Sequence, residues 1–232
     1  MQNRRETIAA LVVAMTLGGM LGAQVPAGSG SQPSGKKAAP VTRPAVPDLH
    51  DPSSFQAKAP AAFKVTFETS KGTFVVEAIR EWAPIGVDRF YNLVNSGFFK
   101  DVRFFRVIPN FLVQFGIHGD PAISQAWLNA RLADEPGKES NRRGMLTYVK
   151  AEVANSRTTQ FFIHLRDNTS LDSQGFAPFA RVIQGMDVIE SLNSKHAERL
   201  TDLQGEIYQG GNAFLTTKAP DLDYIKKATV TP

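Results

Sequence analysis

Residues 103–116, Arg-Phe-Phe-Arg-Val-Ile-Pro-Asn-Phe-Leu-Val-Gln-Phe-Gly, constrain this chain more than any other stretch. Two apolar, strand-like runs, 104–108 and 111–115, are separated by the breaker Pro109-Asn110. One arginine, Arg106, sits inside the first run, and one glutamine, Gln114, inside the second. Side chains alternate faces along a strand, which puts Phe104, Arg106 and Ile108 together. A charge on such a face either snorkels at a sheet edge or is set there to act on something. A second β-rich run, 158–165, again places a glutamine, Gln160, beside aromatic residues, Phe161 and Phe162.

The folded part begins near Ala61. Residues 63–69 alternate apolar and polar, Ser70-Lys71-Gly72 is turn chemistry, and 73–79 alternate again, which predicts a hairpin. Pro84 opens a helical pattern in which Val87, Phe90, Tyr91 and Val94 share a face, and Gly97 stops it. Between 117 and 144 the apolar pattern fades into an expected surface excursion of mixed charge. Strand character returns at 144–149, 160–165 and 179–183. A short helix is expected from Met186 to Asn193, and a final β-prone run, 222–230, is expected to close the sheet and remove its edges.

Ahead of the domain, Arg4-Arg5 followed by the uncharged apolar run 8–20 reads as an export signal over residues 1–23, or to 27 with a later cleavage site. The run is short for a membrane span of about 20 residues. Arg4-Arg5 weakly resembles a twin-arginine signal, which Glu6-Thr7 continues poorly. The expectation is a periplasmic or secreted chain with no stable membrane insertion after cleavage; an uncleaved tether is the alternative. Residues 24–60, rich in Pro, Ala and Gly, are expected to be a mobile linker, and 61–232 the domain.

The chemistry is bounded by what is missing. Cysteine is absent, which excludes disulfides, thiolate metal sites and thiol nucleophiles. No nucleophile–base pair, paired carboxylate site or phosphate loop stands out, and Gly210-Gly211 lacks the context of a nucleotide site. Around His118 and Asp120 no other histidine has ligand spacing, so no metal is expected. A net charge of +4 without an aromatic–basic stripe gives no reason to expect nucleic acid. No cofactor is implied.

The two stretches together resemble the cyclophilin-type peptidyl-prolyl cis-trans isomerases. That family reads F-H-R-V-I-P-x-F-x-x-Q-x-G, matched by 104–116, and S-Q-F-F-I, matched by 159–163. A third match joins Leu171-Asp172 to Phe179-Ala180-Arg181-Val182 and Gly185-Met186-Asp187-Val188-Ile189. In order, these cover roughly residues 63–230. The resemblance implies a mainly β fold, a closed antiparallel eight-stranded barrel with two capping α-helices, acting as a monomer on proline-containing polypeptides. It implies Arg106 as a donor to the prolyl nitrogen, with Gln114 supporting it and reaching the substrate backbone. Phe111, Leu112, Phe162 and Leu171 would line a proline pocket, and Gln160 the groove. Because strand neighbours face opposite sides, Phe161 is assigned to the core.

Three departures stand out. Phe105 replaces the family's histidine before the arginine and is expected beside the substrate. Ser170 replaces an aromatic, which should weaken binding of the cyclic peptide inhibitor known for the family. Phe176 fills the space of a missing histidine. The implied activity is prolyl isomerisation in the folding of envelope or secreted proteins. The alternative is a groove that binds proline-containing segments without turnover, and intact Arg106 favours the enzyme. A small-ligand carrier barrel would need an open interior, which the many phenylalanines argue against.

Overall fold

The computed structural model describes residues 48–231. The expected export signal and the linker up to residue 47 lie outside them. β1 (Ala62–Thr69) and β2 (Thr73–Ile79) form the expected hairpin. Alternate residues of both strands are buried, so Phe67 and Phe74 become cross-strand partners whose rings stack 4.8 Å apart. α1 (Pro84–Asn95) buries Val87, Phe90, Leu93 and Val94 against this sheet. β3 (Arg106–Ile108) turns through Asn110, which takes a left-handed φ of 57°, into β4 (Leu112–Phe115). β5 (Met145–Tyr148), β6 (Phe161–His164), β7 (Pro178–Gln184) and β8 (Ile225–Thr231) complete one antiparallel sheet in the order β3-β4-β6-β5-β7-β2-β1-β8.

A closed barrel had been expected; the sheet instead curls into a half-barrel and does not close completely. Its end strands, β3 and β8, share no ladder. What joins them is a short seam ahead of each strand: Asp101 N–H donates to the Ile225 carbonyl at 2.8 Å, Ile225 N–H to Val102 at 2.9 Å, and Phe104 N–H to Asp223 at 3.0 Å. The irregular seam also breaks the expected alternation. Phe104 turns into the main core against Phe115, 5.4 Å between rings, and regular strand geometry begins only at Arg106.

Helices exceed the two expected. α3 (Met186–Glu190) is the short helix read from the sequence. α2 (Pro121–Leu128) lies inside the supposed surface excursion, started by Asp120, whose carboxylate accepts from Ala122 N–H at 2.8 Å, and by Pro121 in the first turn. α4 (Ala197–Thr201) and α5 (Gln204–Lys218) occupy the region before β8. Gly211 kinks α5 with φ 52°, and a Cβ there would stand 2.1 Å from the Gly119 carbonyl oxygen. Only glycine allows that approach.

The mixed-charge loop is exposed as expected at Arg131, Asp134, Lys138, Glu139, Arg142 and Arg143, and departs from that only at Glu135. Glu135 is buried against Arg157, 3.0 Å between their charged atoms, and its carboxylate accepts from the Ile85 and Gly86 N–H groups at the start of α1. Ala83, at the N-cap of α1, has no side-chain cap to offer, so the loop supplies one.

The linker boundary also moves. Residues 48–60 pack on the domain: Phe55 is buried edge-to-face on Trp127, 5.1 Å between rings, and Trp127 Nε1–H donates to the Leu49 carbonyl at 2.8 Å. Asn92 exchanges hydrogen bonds with both backbone groups of Ala57. Two large side chains in a Pro-rich segment, Leu49 and Phe55, sufficed to dock it.

Candidate active site

The ladder β3-β4-β6 sorts its residues onto two faces. Arg106 pairs with Gln114, and Gln114 with Phe162, so these three side chains project from the outer face side by side. Leu112 pairs with His164 on that same face. The other face carries Val113, Ile163, Phe115 and Phe161 into the main core. Phe161 therefore belongs to the core, within 4.6 Å of the Tyr148 ring, as assigned.

On the outer face an apolar cluster forms from Leu112, Phe162, Leu171 and Phe176, with Phe111 half-buried at its edge. Leu171 comes from a 3₁₀ turn, Thr169–Gln174, ended by Gly175 in the left-handed region. Phe176 then folds back so that its ring lies 6.0 Å from Phe162. Ser170 is exposed, so no aromatic side chain stands at that position of the turn.

A buried polar network lies beneath the cluster. Asn168 Nδ2 donates to the Phe111 carbonyl and to His164 Nδ1, both at 3.0 Å, and His164 Nε2 meets the Thr147 hydroxyl at 3.2 Å. Asn141 Nδ2 reaches the Phe176 carbonyl at 2.8 Å and the Asp172 carboxylate at 2.6 Å. Burial holds His164 neutral, its pKa lowered to about 4. Burial also acts to raise the Asp172 pKa, but the bonds from Ser140 and Asn141 outweigh it and keep the carboxylate ionised.

Beside the apolar cluster runs a chain of side-chain hydrogen bonds. Arg106 Nη1 donates to Gln114 Oε1 at 3.2 Å, Gln114 Nε2 to Gln160 Oε1 at 2.7 Å, and Gln160 Nε2 to Tyr208 Oη at 2.9 Å. Gln114 is only 2 % exposed, so its aim is set by these partners. Of the residues read from the sequence, Arg106, Gln114 and Gln160 meet in this chain, and Phe111, Leu112, Phe162, Leu171 and Phe176 in the cluster. Phe105 does not join either group. It is buried with Leu200, Ile207, Leu215, Ala219 and Leu222 beneath α4 and α5, a correction that follows from the irregular backbone before Arg106.

Tyr208 and Gln204 were missed, because α5 was not read as a helix. The signal was there: Leu203, Ile207, Gly211 and Leu215 recur every four residues, with the last three buried. The arrangement is a half-buried cation, held by a buried amide, next to a packed apolar cluster edged by the half-buried Phe111. It can bind an apolar ring and direct N–H donors at the atoms beside it.

The family model described as cyclophilin type peptidyl-prolyl cis-trans isomerase/CLD matches residues 64–209. The chain is 32% identical over 145 residues to peptidyl-prolyl cis-trans isomerase A of Dickeya dadantii, spanning 60% of this chain and 76% of that protein. It is likewise 32% identical over 136 residues to isomerase B of Escherichia coli K12, spanning 55% of this chain and 82% of that one. In fold it is similar to a Cryptosporidium parvum cyclophilin crystal structure, with TM-score 0.56 and 21% identity over 74% of this chain and 98% of the other. With a family match across most of the described domain, and an outer sheet face built as above, this chain belongs to the cyclophilin-type peptidyl-prolyl cis-trans isomerases.

Proposed function

We propose that the chain accelerates rotation about X–Pro bonds in exported polypeptides, with Arg106 as the group that favours the twisted amide. The uncatalysed barrier is about 18–20 kcal/mol, because resonance gives the C–N bond partial double-bond character. The two isomers differ by only about 0.5–1 kcal/mol yet exchange over tens to hundreds of seconds. A catalyst has to bind the twisted state better than either planar one. Twisting ends the resonance and returns a lone pair to the prolyl nitrogen, so a donor placed there interacts selectively with the transition state. Lowering the barrier by about 5 kcal/mol would speed exchange several-thousand-fold.

The observation that carries this reading is the register Arg106–Gln114–Phe162, which sets the cation one strand away from Leu112 and two from Phe162, on the same face as the apolar cluster. Phe111, Leu112, Phe162, Leu171 and Phe176 would hold the proline ring, while Gln114 fixes the guanidinium. A Cryptosporidium parvum cyclophilin similar in fold has been solved in the presence of the dipeptide Ala-Pro, which supports proline-containing peptides as the substrate class.

The test is cis/trans exchange in an Ala-Pro peptide, followed by NMR line shape, with the chain and with Arg106→Ala. Loss of a donor that acts only in the transition state should cost about 10²–10³-fold in turnover. A folded Arg106→Ala that turns over normally would remove the assignment, and binding without acceleration by the unmodified chain would make the groove a peptide-binding module. Clients in the envelope are inferred from Arg4-Arg5 and the apolar run 8–20. Export predicts a mature N-terminus near Gln24 or Gly28; protein from the native host that retains Met1 would contradict cleavage.

A further inference from the structure

We propose that Tyr208, on α5, is a positioning residue for the isomerase reaction: it anchors the far end of the amide chain that aims Arg106. The inference rests on the assignment of Arg106 above.

A guanidinium can only donate, so Arg106 obliges Gln114 to turn its oxygen inward. Gln114 must then present Nε2 to Gln160, and Gln160 must present its own Nε2 onward. The onward acceptor is the Tyr208 hydroxyl, 2.9 Å away. Side-chain amides are nearly symmetric in shape, so only hydrogen-bond partners hold their polarity. Without the phenol oxygen, the Gln160 amide, 9 % exposed, would keep an unsatisfied N–H unless it rotated toward water. Either response withdraws Oε1 from Gln114 and loosens the contact that holds Arg106.

α5 is built to deliver this group. Asn212 N–H donates to the Gly119 carbonyl at 2.8 Å, and its Nδ2 to the Asp101 carbonyl at 2.9 Å. The kink at Gly211 brings the helix against that same loop. Phe105, adjacent to Arg106 in sequence, packs under Ile207 and Leu215 of α5. The apolar residue that departs from the family pattern therefore pins the helix that carries Tyr208. Gln204, one turn earlier, offers Oε1 to Gln114 Nε2 at 3.5 Å, so the same helix also borders the second amide proton.

The test is a double-mutant cycle on the full chain, with kcat and KM measured separately on an Ala-Pro peptide. Tyr208→Phe should lower kcat about tenfold, the scale of a small misplacement of a catalytic group, with KM within twofold and thermal midpoint unchanged. In a Gln160→Ala background the same substitution should cost nothing more, because the chain is already cut. Additive losses, a change confined to KM, or undiminished kcat would each overturn the proposal. If Tyr208→Phe lowers the midpoint, the cycle is repeated well below the lowered midpoint, where every variant is folded, and carries the same expectations. Arg106→Ala, assayed alongside, separates the failures: normal turnover there removes the Arg106 assignment, whereas lost turnover there with a fully active Tyr208→Phe removes this inference alone.

Discussion

His164 is an imidazole whose two nitrogens are both engaged. Nδ1 accepts from Asn168 and leaves Nε2–H for the Thr147 hydroxyl, so the neutral ring satisfies every partner. A proton on Nδ1 would face the Asn168 amide protons, which also hold the Phe111 carbonyl. Burial lowers the folded-state pKa to about 4 from the ordinary histidine value of 6.5. Between those values the unfolded chain binds a proton that the native chain does not, so stability falls as pH drops through this window. The loss reaches about 3 kcal/mol by pH 4. Urea midpoints at pH 7 and pH 5 should therefore differ more for the native sequence than for His164→Gln; equal pH slopes would show that His164 is not the titrating group. Nothing in the one-dimensional pattern announced this. A single histidine in an apolar strand is ambiguous until its cross-strand neighbours are known.

At the scale of elements, strands were legible and added helices were not. β1 and β2 bury alternate residues on one face, so period-two alternation marks them without ambiguity. The run around Phe161 and Phe162 was resolved by the same alternation into one core residue and one pocket residue. α2 and α5 escaped for opposite reasons. α2 is eight residues long and opens with Asp-Pro, a pair that marks turns as readily as helix starts. α5 contains Gly205, Gly210 and Gly211, which ordinarily argue against a helix, and tertiary contacts with Gly119 and Phe105 override that preference. The cluster residues were accessible through family motifs, Leu112 and Phe162 on strands and Leu171 on the turn between β6 and β7. Tyr208 was not, because it stands on an element outside those motifs, and only the fold brings it to Gln160.

For the whole molecule, the boundary of the domain is the quantity that changes most. A domain starting near residue 61 would omit Phe55, which covers the edge of Trp127 in the main core. Phe55→Ala should destabilise the protein by about 3 kcal/mol, as for removal of a buried aromatic ring, and shift Trp127 fluorescence to the red. A spacer residue would cost nothing, and an unchanged midpoint would return 48–60 to the linker. The seam between β3 and β8 has a different consequence, one of timing. β1 finds its outer partner only in β8, with Val65 opposite Val230, and the Asp101–Phe104 stretch waits on residues 223–225. A chain emerging from the ribosome carries the β1 edge unpaired until β8 has been made, and closing that long loop has its entropy still to overcome. During that interval the nascent protein presents an open sheet edge of the kind that recruits other strands. An isomerase of this shape thus cannot complete its own sheet until β8 has been made, and until then its first hairpin is a template for mispairing.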